Sequence, residues 1–146
     1  MIVLRWPTHF RVRATEWFSA AFKLLWGFIL LLPYPTFNNP LFSAMARHAT
    51  QDTWGWIAFG LGGTHLTALY INGNVRRSPH VRAFCSGLGA LFWLQVCLGM
   101  LGSGVMSTGW AIYPGLVVMG IYNVSCAMQD ARRSDDAAKA GRYGGR

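Results

Sequence analysis

The 146-residue chain is rich in apolar residues and carries few charges, most of them positive. Hydrophobic residues make up 53% of it and charged residues 12%, with a net charge of +8. Because about a quarter of the residues in a soluble domain are charged, this composition indicates a single membrane domain. In a membrane protein, Lys and Arg set the orientation and contact anionic lipid heads. Nucleic-acid binding is not expected, since no soluble module presents a basic face.

Four apolar stretches follow one another at about residues 16–33, 54–71, 83–102 and 109–128. Each is close to the ~20 residues with which an α-helix crosses a hydrocarbon core of about 30 Å. We therefore predict an all-α fold, an integral membrane four-helix bundle, between a basic segment 1–15 and a charged tail 129–146. The first stretch begins like a signal peptide. Its candidate cleavage site, Ala44-Met45-Ala46, lies too far beyond the apolar run, so we expect an uncleaved span.

Positive charges are distributed unevenly between the two sides of this four-span arrangement. Eleven of the 13 Lys and Arg residues fall in the N-terminal segment, the loop between spans two and three, and the tail. The opposite side holds Arg47 alone. The positive-inside rule therefore predicts that both termini are cytoplasmic, an N-in/C-in topology with the basic segments near anionic lipids.

The loop after the first span carries signals for a short helix on the outer membrane surface. Asn39 can cap such a helix, and Pro40 can occupy its first position. Leu41 and Met45 would give it one apolar face as far as about Ala49. An irregular loop is the alternative that the sequence leaves open.

Lys23 is the first of four polar candidates within the spans. A charge inside a span is a functional hypothesis by default. Lys23 lies about 9 Å into its span by helical rise, so its long stem can carry the amine back to the cytoplasmic interface. We expect this snorkelling arrangement, with a buried functional amine as the alternative. Glu16, two turns earlier, is within reach of Lys23.

His65 lies in the middle of the second span. A haem-binding bundle usually supplies two facing histidines, and the other three histidines of the chain fall outside the spans. We therefore expect no cofactor. His65 is predicted to form a hydrogen bond inside the bundle, with Thr64, Thr67, Gln95 or Asn123 as its partner.

Small residues recur at a spacing of four in the second span. Gly60 with Thr64, and Gly63 with Thr67, have the pattern that lets two helix backbones approach closely. We predict that Gly60, Gly62, Gly63 and Thr67 form a helix-packing face. This face would mediate self-association or contact with another membrane protein. The sequence leaves open whether the facing helix belongs to the same chain.

Motifs for catalysis and metal binding are missing from the sequence. The three cysteines, Cys85, Cys97 and Cys126, form no Cys-x-x-Cys pair and read as small apolar fillers. The interior of the predicted spans contains no Asp or Glu, which weighs against a proton-coupled pump. There is no phosphate loop, metal motif or nucleophile–base arrangement. We expect a non-enzymatic protein without catalytic, metal-binding or cofactor-binding residues.

Several short motifs resemble small four-span membrane proteins that are common in tailed-phage and prophage genomes. They are Leu25-Trp26-Gly27, Leu31-Leu32-Pro33, Pro35-Thr36-Phe37, Asn39-Pro40, Ala44-Met45-Ala46 and Trp54-Gly55, followed by Arg82, Trp93, Thr108-Gly109 and Tyr113-Pro114. The resemblance covers about residues 17–125. It implies a bacterial or phage origin and a multi-pass location in the inner membrane, and it brings no established activity with it.

Two classes of function fit these features. The first is a phage-type membrane protein that acts by assembly in the inner membrane, with a holin-like lysis pore as its most specific form. Small size, several spans, a charged tail and small-residue faces favour it. The second is an accessory or assembly subunit of a larger membrane complex. A small transporter or redox protein is a third option.

Overall fold

A computed structural model describes residues 13–71 and 78–143, which form helices and turns without a strand. The predicted all-α fold is confirmed. The helices are α1 (Ala14–Leu31), α2 (Ser43–Ala46), α3 (Gln51–Ile71), α4 (Ser78–Ser103) and α5 (Gly109–Tyr143). Two 3-10 turns, Thr36–Asn38 and Pro40–Phe42, precede α2.

Some residues used in the orientation argument lie outside this description. These are residues 1–12, 72–77 and 144–146, together with the side chains of 78, 138 and 140–143. They include Arg5, Arg11, Arg76, Arg77, Arg142 and Arg146.

Three of the described helices are long and apolar enough to cross a membrane, which supports a membrane protein. They are α1, residues Pro79–Ser103 of α4, and residues Gly109–Ala137 of α5. The 21-residue helix α3 coincides with the predicted second span but is not among the three. Its polar first turn and its run of glycines and threonines lower its hydropathy. A fourth crossing therefore stays a prediction.

The long helices run alternately up and down. Helix α1 packs chiefly on α3, α4 packs chiefly on α5, and α3 also contacts α4. Gln51 Nε2 donates to Leu30 O at 2.8 Å, which places the start of α3 beside the end of α1. Trp26 Nε1 donates to Tyr113 OH at 3.2 Å, so that α5 closes the bundle against α1.

Helices α1 and α3 contact each other backbone to backbone at two glycines. A Cβ on Gly62 would meet Leu24 N and would lie 2.9 Å from Ala20 O. A Cβ on Gly27, in the facing helix, would lie 2.7 Å from Gly55 O. Real Cβ atoms do not approach other atoms this closely, so both positions require glycine.

The other members of the predicted packing face, Gly60, Gly63 and Thr67, make no such close contact with α1. Nothing lies within 4 Å of a Cβ built on Gly60, and one on Gly63 would make only an ordinary contact of 3.8 Å with Leu24. Thr67 is exposed, and its hydroxyl donates to Gly63 O at 2.9 Å. Gly62 therefore packs inside the chain, whereas Gly60 lies on the outer surface.

The loop after α1 folds onto the end of the bundle. Asn39 Oδ1 accepts a hydrogen bond from Leu41 N at 2.9 Å, with Pro40 at the first helical position, as predicted. The helical segment ends at Ala46, earlier than expected. Leu41 and Met45 are buried, and Met45 contacts α4. The short helix is present, and its position on the membrane surface stays a prediction.

Aromatic rings from α1, α4 and α5 meet inside the bundle. The ring of Trp93 has centroid distances of 5.7 Å to Phe22, Trp26 and Tyr113 and of 5.1 Å to Phe92. Such pairs contribute about 0.5–1.5 kcal/mol each beyond their burial. Among the described side chains, Trp93 Nε1 is buried without a hydrogen-bond partner. We call these five residues the aromatic layer.

The close contact of α1 and α3 predicts different effects for two neighbouring glycines. Gly62→Ala should lower the stability of the bundle by about 1–3 kcal/mol, because the new methyl group forces the helices apart. Gly60→Ala, the matched control, adds its methyl group in open space and should change stability little. Thermal unfolding of the purified protein in detergent measures both. Equal melting temperatures for the two variants would contradict the contact.

Candidate functional site

Charged side chains from three helices meet inside one end of the bundle. Arg82 is fully buried and forms a bidentate pair with Glu16, in which Nε donates to Oε2 at 2.8 Å and Nη2 to Oε1. Arg82 Nη1 donates to Asp130 Oδ2 at 3.1 Å. Arg13 Nη2 lies 3.8 Å from the same oxygen. These four residues, the Arg82 cluster, contain two cations and two carboxylates and join α1, α4 and α5.

The position of Arg82 corrects the sequence analysis. The hydropathy pattern places it in a loop before a span that starts at residue 83, and this is wrong because α4 begins at Ser78. A guanidinium can be buried when carboxylates satisfy both its charge and its hydrogen-bond donors. The contact of Glu16 also differs from the expected one, because Glu16 binds Arg82 and not Lys23. At the rim of the cluster, burial and the neighbouring Arg82 cation lower the pKa of Arg13. The carboxylates of Glu16 and Asp130 act in the opposite direction but do not outweigh these two effects.

A second group of polar side chains lies deeper in the bundle. Lys23 Nζ donates to Ser19 Oγ at 3.0 Å and lies 3.5 Å from His65 Nδ1. On the other edge of the ring, His65 Nε2 lies 3.5 Å from Ser86 Oγ. When Nδ1 accepts from the lysine, Nε2 carries the proton and donates to Ser86. This chain of contacts joins α1, α3 and α4.

Lys23 does not snorkel, so that expectation is wrong. Its side chain is 0% exposed and lies against Gly89 of α4. A Cβ on Gly89 would come within 2.8 Å of Nζ, which shows that the glycine makes room for the amine. No carboxylate among the described residues forms an ion pair with Lys23. Its charge is thus not balanced in the way that the charge of Arg82 is.

The neighbours of His65 differ from the predicted ones. The hydroxyls of Thr64 and Thr67 donate to carbonyl oxygens of their own helix, four residues earlier. Lys23 and Ser86, which the sequence analysis did not associate with His65, lie at hydrogen-bond distance from it. Both come from other helices, so spacing along the chain carries no signal for these contacts.

The two remaining polar candidates lie apart from His65. Gln95 is exposed on α4. Asn123 is buried on α5, where its Oδ1 accepts from Thr15 Oγ1 at 2.8 Å and its Nδ2 donates to Thr15 O at 3.3 Å. Asn123 therefore joins α5 to the first turn of α1, close to the Arg82 cluster.

The Arg82 cluster and the group around Lys23 follow each other along the bundle, because both are built on α1 and α4. On α1 the spacing of Glu16, Ser19 and Lys23 places them on one helix face. Glu16 and Lys23 are seven residues apart, which corresponds to about 10 Å along the helix. The polar column, as we use the term, contains Glu16, Ser19, Lys23, His65, Arg82 and Ser86. Trp26, which belongs to the aromatic layer, follows Lys23 by about one helical turn on α1, so the layer lies next to the inner end of the column.

The outer surface has the opposite character. Large apolar side chains are exposed on every long helix, with fractions of 63% for Leu91 and 67% for Val118. A soluble protein seldom exposes such a continuous apolar surface, whereas lipid tails accept it readily. Phe18, Leu25, Trp56, Phe84, Leu101 and Ile121 belong to the same surface.

The described residues include no group of three or more His, Cys, Asp or Glu that could hold a metal ion. Cys85, Cys97 and Cys126 are free thiols. No protein-family model matches the chain, and no curated protein or solved structure matches it. The polar column and the apolar surface around it are therefore the features of this chain that bear on function.

The Arg82 cluster predicts a large effect on stability. Arg82→Leu leaves the buried carboxylate of Glu16 without its cation, which should lower the stability of the bundle by about 3–5 kcal/mol. Arg82→Lys keeps the charge but loses the bidentate geometry, so its loss should be smaller. Arg132→Leu, on the exposed side of α5, is the control. Denaturation in detergent measures all three, and an Arg82→Leu variant as stable as the control would contradict the structure.

His65 gives a second prediction. His65→Gln keeps a polar side chain between Lys23 and Ser86 and should retain most of the stability. His65→Leu leaves Ser19 as the remaining hydrogen-bond partner of the Lys23 amine and should lower the stability of the bundle by about 1–2 kcal/mol. The purified protein should show no Soret absorbance. A Soret band that His65→Leu abolishes would identify His65 as a haem ligand and overturn its role as a hydrogen-bonding residue.

Proposed function

We propose that the protein is a non-enzymatic, multi-pass, phage-type protein of the bacterial inner membrane that acts by assembling there, with a holin-like pore as its most specific form. The inverted polarity of the bundle carries this proposal. Glu16, Lys23 and Arg82 are buried inside it, whereas large apolar side chains are exposed on its outer surface. A bilayer favours this arrangement, and an assembly that rearranges can bring the buried polar groups into contact with water.

Four crossings with both termini in the cytoplasm belong to the proposal. The Arg82 cluster brings the starts of α1 and α4 and the Asp130 region of α5 to one end of the bundle. Helix α3 returns from the other end, and 21 residues cover about 31 Å. We therefore expect α3 to cross with the others despite its lower hydropathy. The positive-inside rule assigns the Arg82 end to the cytoplasm.

Self-association through α3 is supported by the part of its small-residue face that the chain itself leaves open. Gly60 has free space around its Cα, and Gly63 has only a distant side-chain neighbour. In lipid, helices associate chiefly through close packing, which small residues permit. A second copy can therefore approach α3 without displacing α1, which packs on Gly62.

A second candidate function is an accessory subunit of a larger membrane complex. An apolar groove of about 310 Å³ between α4 and α5 favours it, since a helix of another membrane protein could pack there. The groove is lined by Gly87, Ala90, Leu94, Val117, Ile121 and Val124. An accessory subunit would leave the membrane intact when it is expressed alone.

Induced expression in bacteria separates these functions. We expect growth arrest, collapse of the membrane potential and release of a co-expressed endolysin. The double variant Gly60→Leu/Gly63→Leu should lose these effects, because its leucines keep a second copy away from α3 while the chain's own contact at Gly62 is retained. A potential-sensitive dye and a lysis assay report the outcome.

Two results would change the proposal. An intact potential together with retained endolysin would exclude the pore and favour the accessory subunit. A double variant that is as lethal as the original protein would show that copies associate through a surface other than α3. Membrane levels of the variant, measured by immunoblot, ensure that lost activity is not lost protein.

A further inference from the structure

We propose that the polar column lines the aqueous pathway of the assembled protein, and that Lys23 gives this pathway a preference for anions. The inference rests on the proposed function, because it presupposes that the protein makes the membrane permeable. It goes further by assigning the lining residues and the class of solute.

Polar and apolar side chains lie on opposite faces of α1. Glu16, Ser19 and Lys23 share the buried face, whereas the opposite face exposes apolar side chains such as Phe18 and Leu25. Charged residues at membrane depth usually face the bundle interior or a water-filled cavity and mark the paths of ions. We therefore expect that water entering the assembled protein lies along the buried face of α1 and not along its outer face.

Helix α4 repeats this distribution. Arg82 and Ser86, one turn apart, are buried toward the column, while Phe84 between them is 67% exposed. Gly89, the next residue on the buried face, contacts the amine of Lys23. Two helices that run in the same direction thus contribute matching polar faces at matching levels.

The two levels of the polar column differ in how their charges are balanced. In the Arg82 cluster, Glu16 and Asp130 offset the cations of Arg82 and Arg13. Deeper in the column Lys23 has no ion-pair partner among the described residues. A protonated Lys23 is therefore an unbalanced positive charge in a narrow, low-dielectric space. Rings or isolated cations of this kind favour anions in pores.

In a single chain the polar column is closed at its inner end. The aromatic layer lies next to that end, and apolar constrictions of this kind block ions by excluding water. Trp93 Nε1 is buried there without a partner, so it can donate to water once the rings separate. The closed bundle is then the inactive form, and assembly has to part the aromatic layer.

Cysteine accessibility tests the lining. In a background with Cys85, Cys97 and Cys126 changed to Ala, Ser19→Cys is compared with its neighbour Phe18→Cys. Protein in lipid vesicles is treated with a membrane-impermeant, charged thiol reagent while dye release is recorded. Such reagents attack the thiolate, which forms in water and not in lipid. We expect Ser19→Cys to react at least tenfold faster than Phe18→Cys and its modification to reduce dye release.

Ser86→Cys and Phe84→Cys form an independent pair on α4, in case Ser19→Cys does not fold. If the vesicles leak but buried-face and outer-face cysteines react at equal rates, the column does not line the pathway and the inference is overturned. The proposed function would survive that result. If vesicles containing the original protein do not leak, the proposed function fails, and this inference fails with it.

Ion selectivity tests the role of Lys23. With a KCl gradient across the vesicle membrane, the original protein should give a reversal potential whose sign shows that chloride crosses more readily than potassium. Lys23→Gln should move this potential toward zero, and Lys139→Gln, the matched change at an exposed lysine of α5, should leave it unchanged. A cation-selective original protein, or an unchanged potential in Lys23→Gln, would overturn the assignment.

Discussion

The guanidinium of Arg82 holds three helices of the bundle at one level. It binds Glu16 near the start of α1 and Asp130 in the C-terminal half of α5. Its own helix, α4, begins four residues before Arg82. These contacts set the register of the bundle, because Lys23 then lies opposite Gly89 and the aromatic rings meet beyond them. A buried ion pair is weak evidence for overall stability, but removing one partner leaves an uncompensated charge. The cluster therefore acts mainly by fixing which ends of the helices lie together.

This register places a charge inside the bundle without an ion-pair partner among the described residues. Lys23 lies inside the bundle with a serine and a histidine as its neighbours. An apolar residue would fill the same space without the desolvation cost of an amine. The protein also leaves Gly60 open on the surface while Gly62 two residues later is tightly packed. Both features are expected of a chain with a second, assembled state, in which the amine meets water and the open glycine meets another copy. This is the common basis of our two proposals.

The sequence predicts the helices better than their contacts. Length, hydropathy and the Asn39-Pro40 signal are local properties, so the four long helices and the cap after α1 could be identified from them. The positions of Arg82 and Lys23 cannot be predicted from local sequence, because their partners lie far away in the chain, at separations of 66 residues to Glu16 and 42 residues to His65. A single sequence carries no record of such pairs, and hydropathy averages treat each charge as if it were solvated. The glycine pattern likewise indicates close packing, but the rotation of α3 decides that Gly62 faces α1 and Gly60 does not.

The number of membrane crossings tests the account most directly. Since Arg82 ties the starts of α1 and α4 to the Asp130 region of α5, the N-terminal and C-terminal segments should lie on the same side, with α3 as the fourth crossing. Reporter domains fused at the N-terminus, after His48 and after Arg146 in living bacteria measure this arrangement. The account predicts cytoplasmic signals at both termini and an external signal at His48. Termini on opposite sides of the membrane would mean three crossings, and they would contradict the arrangement on which the polar column depends.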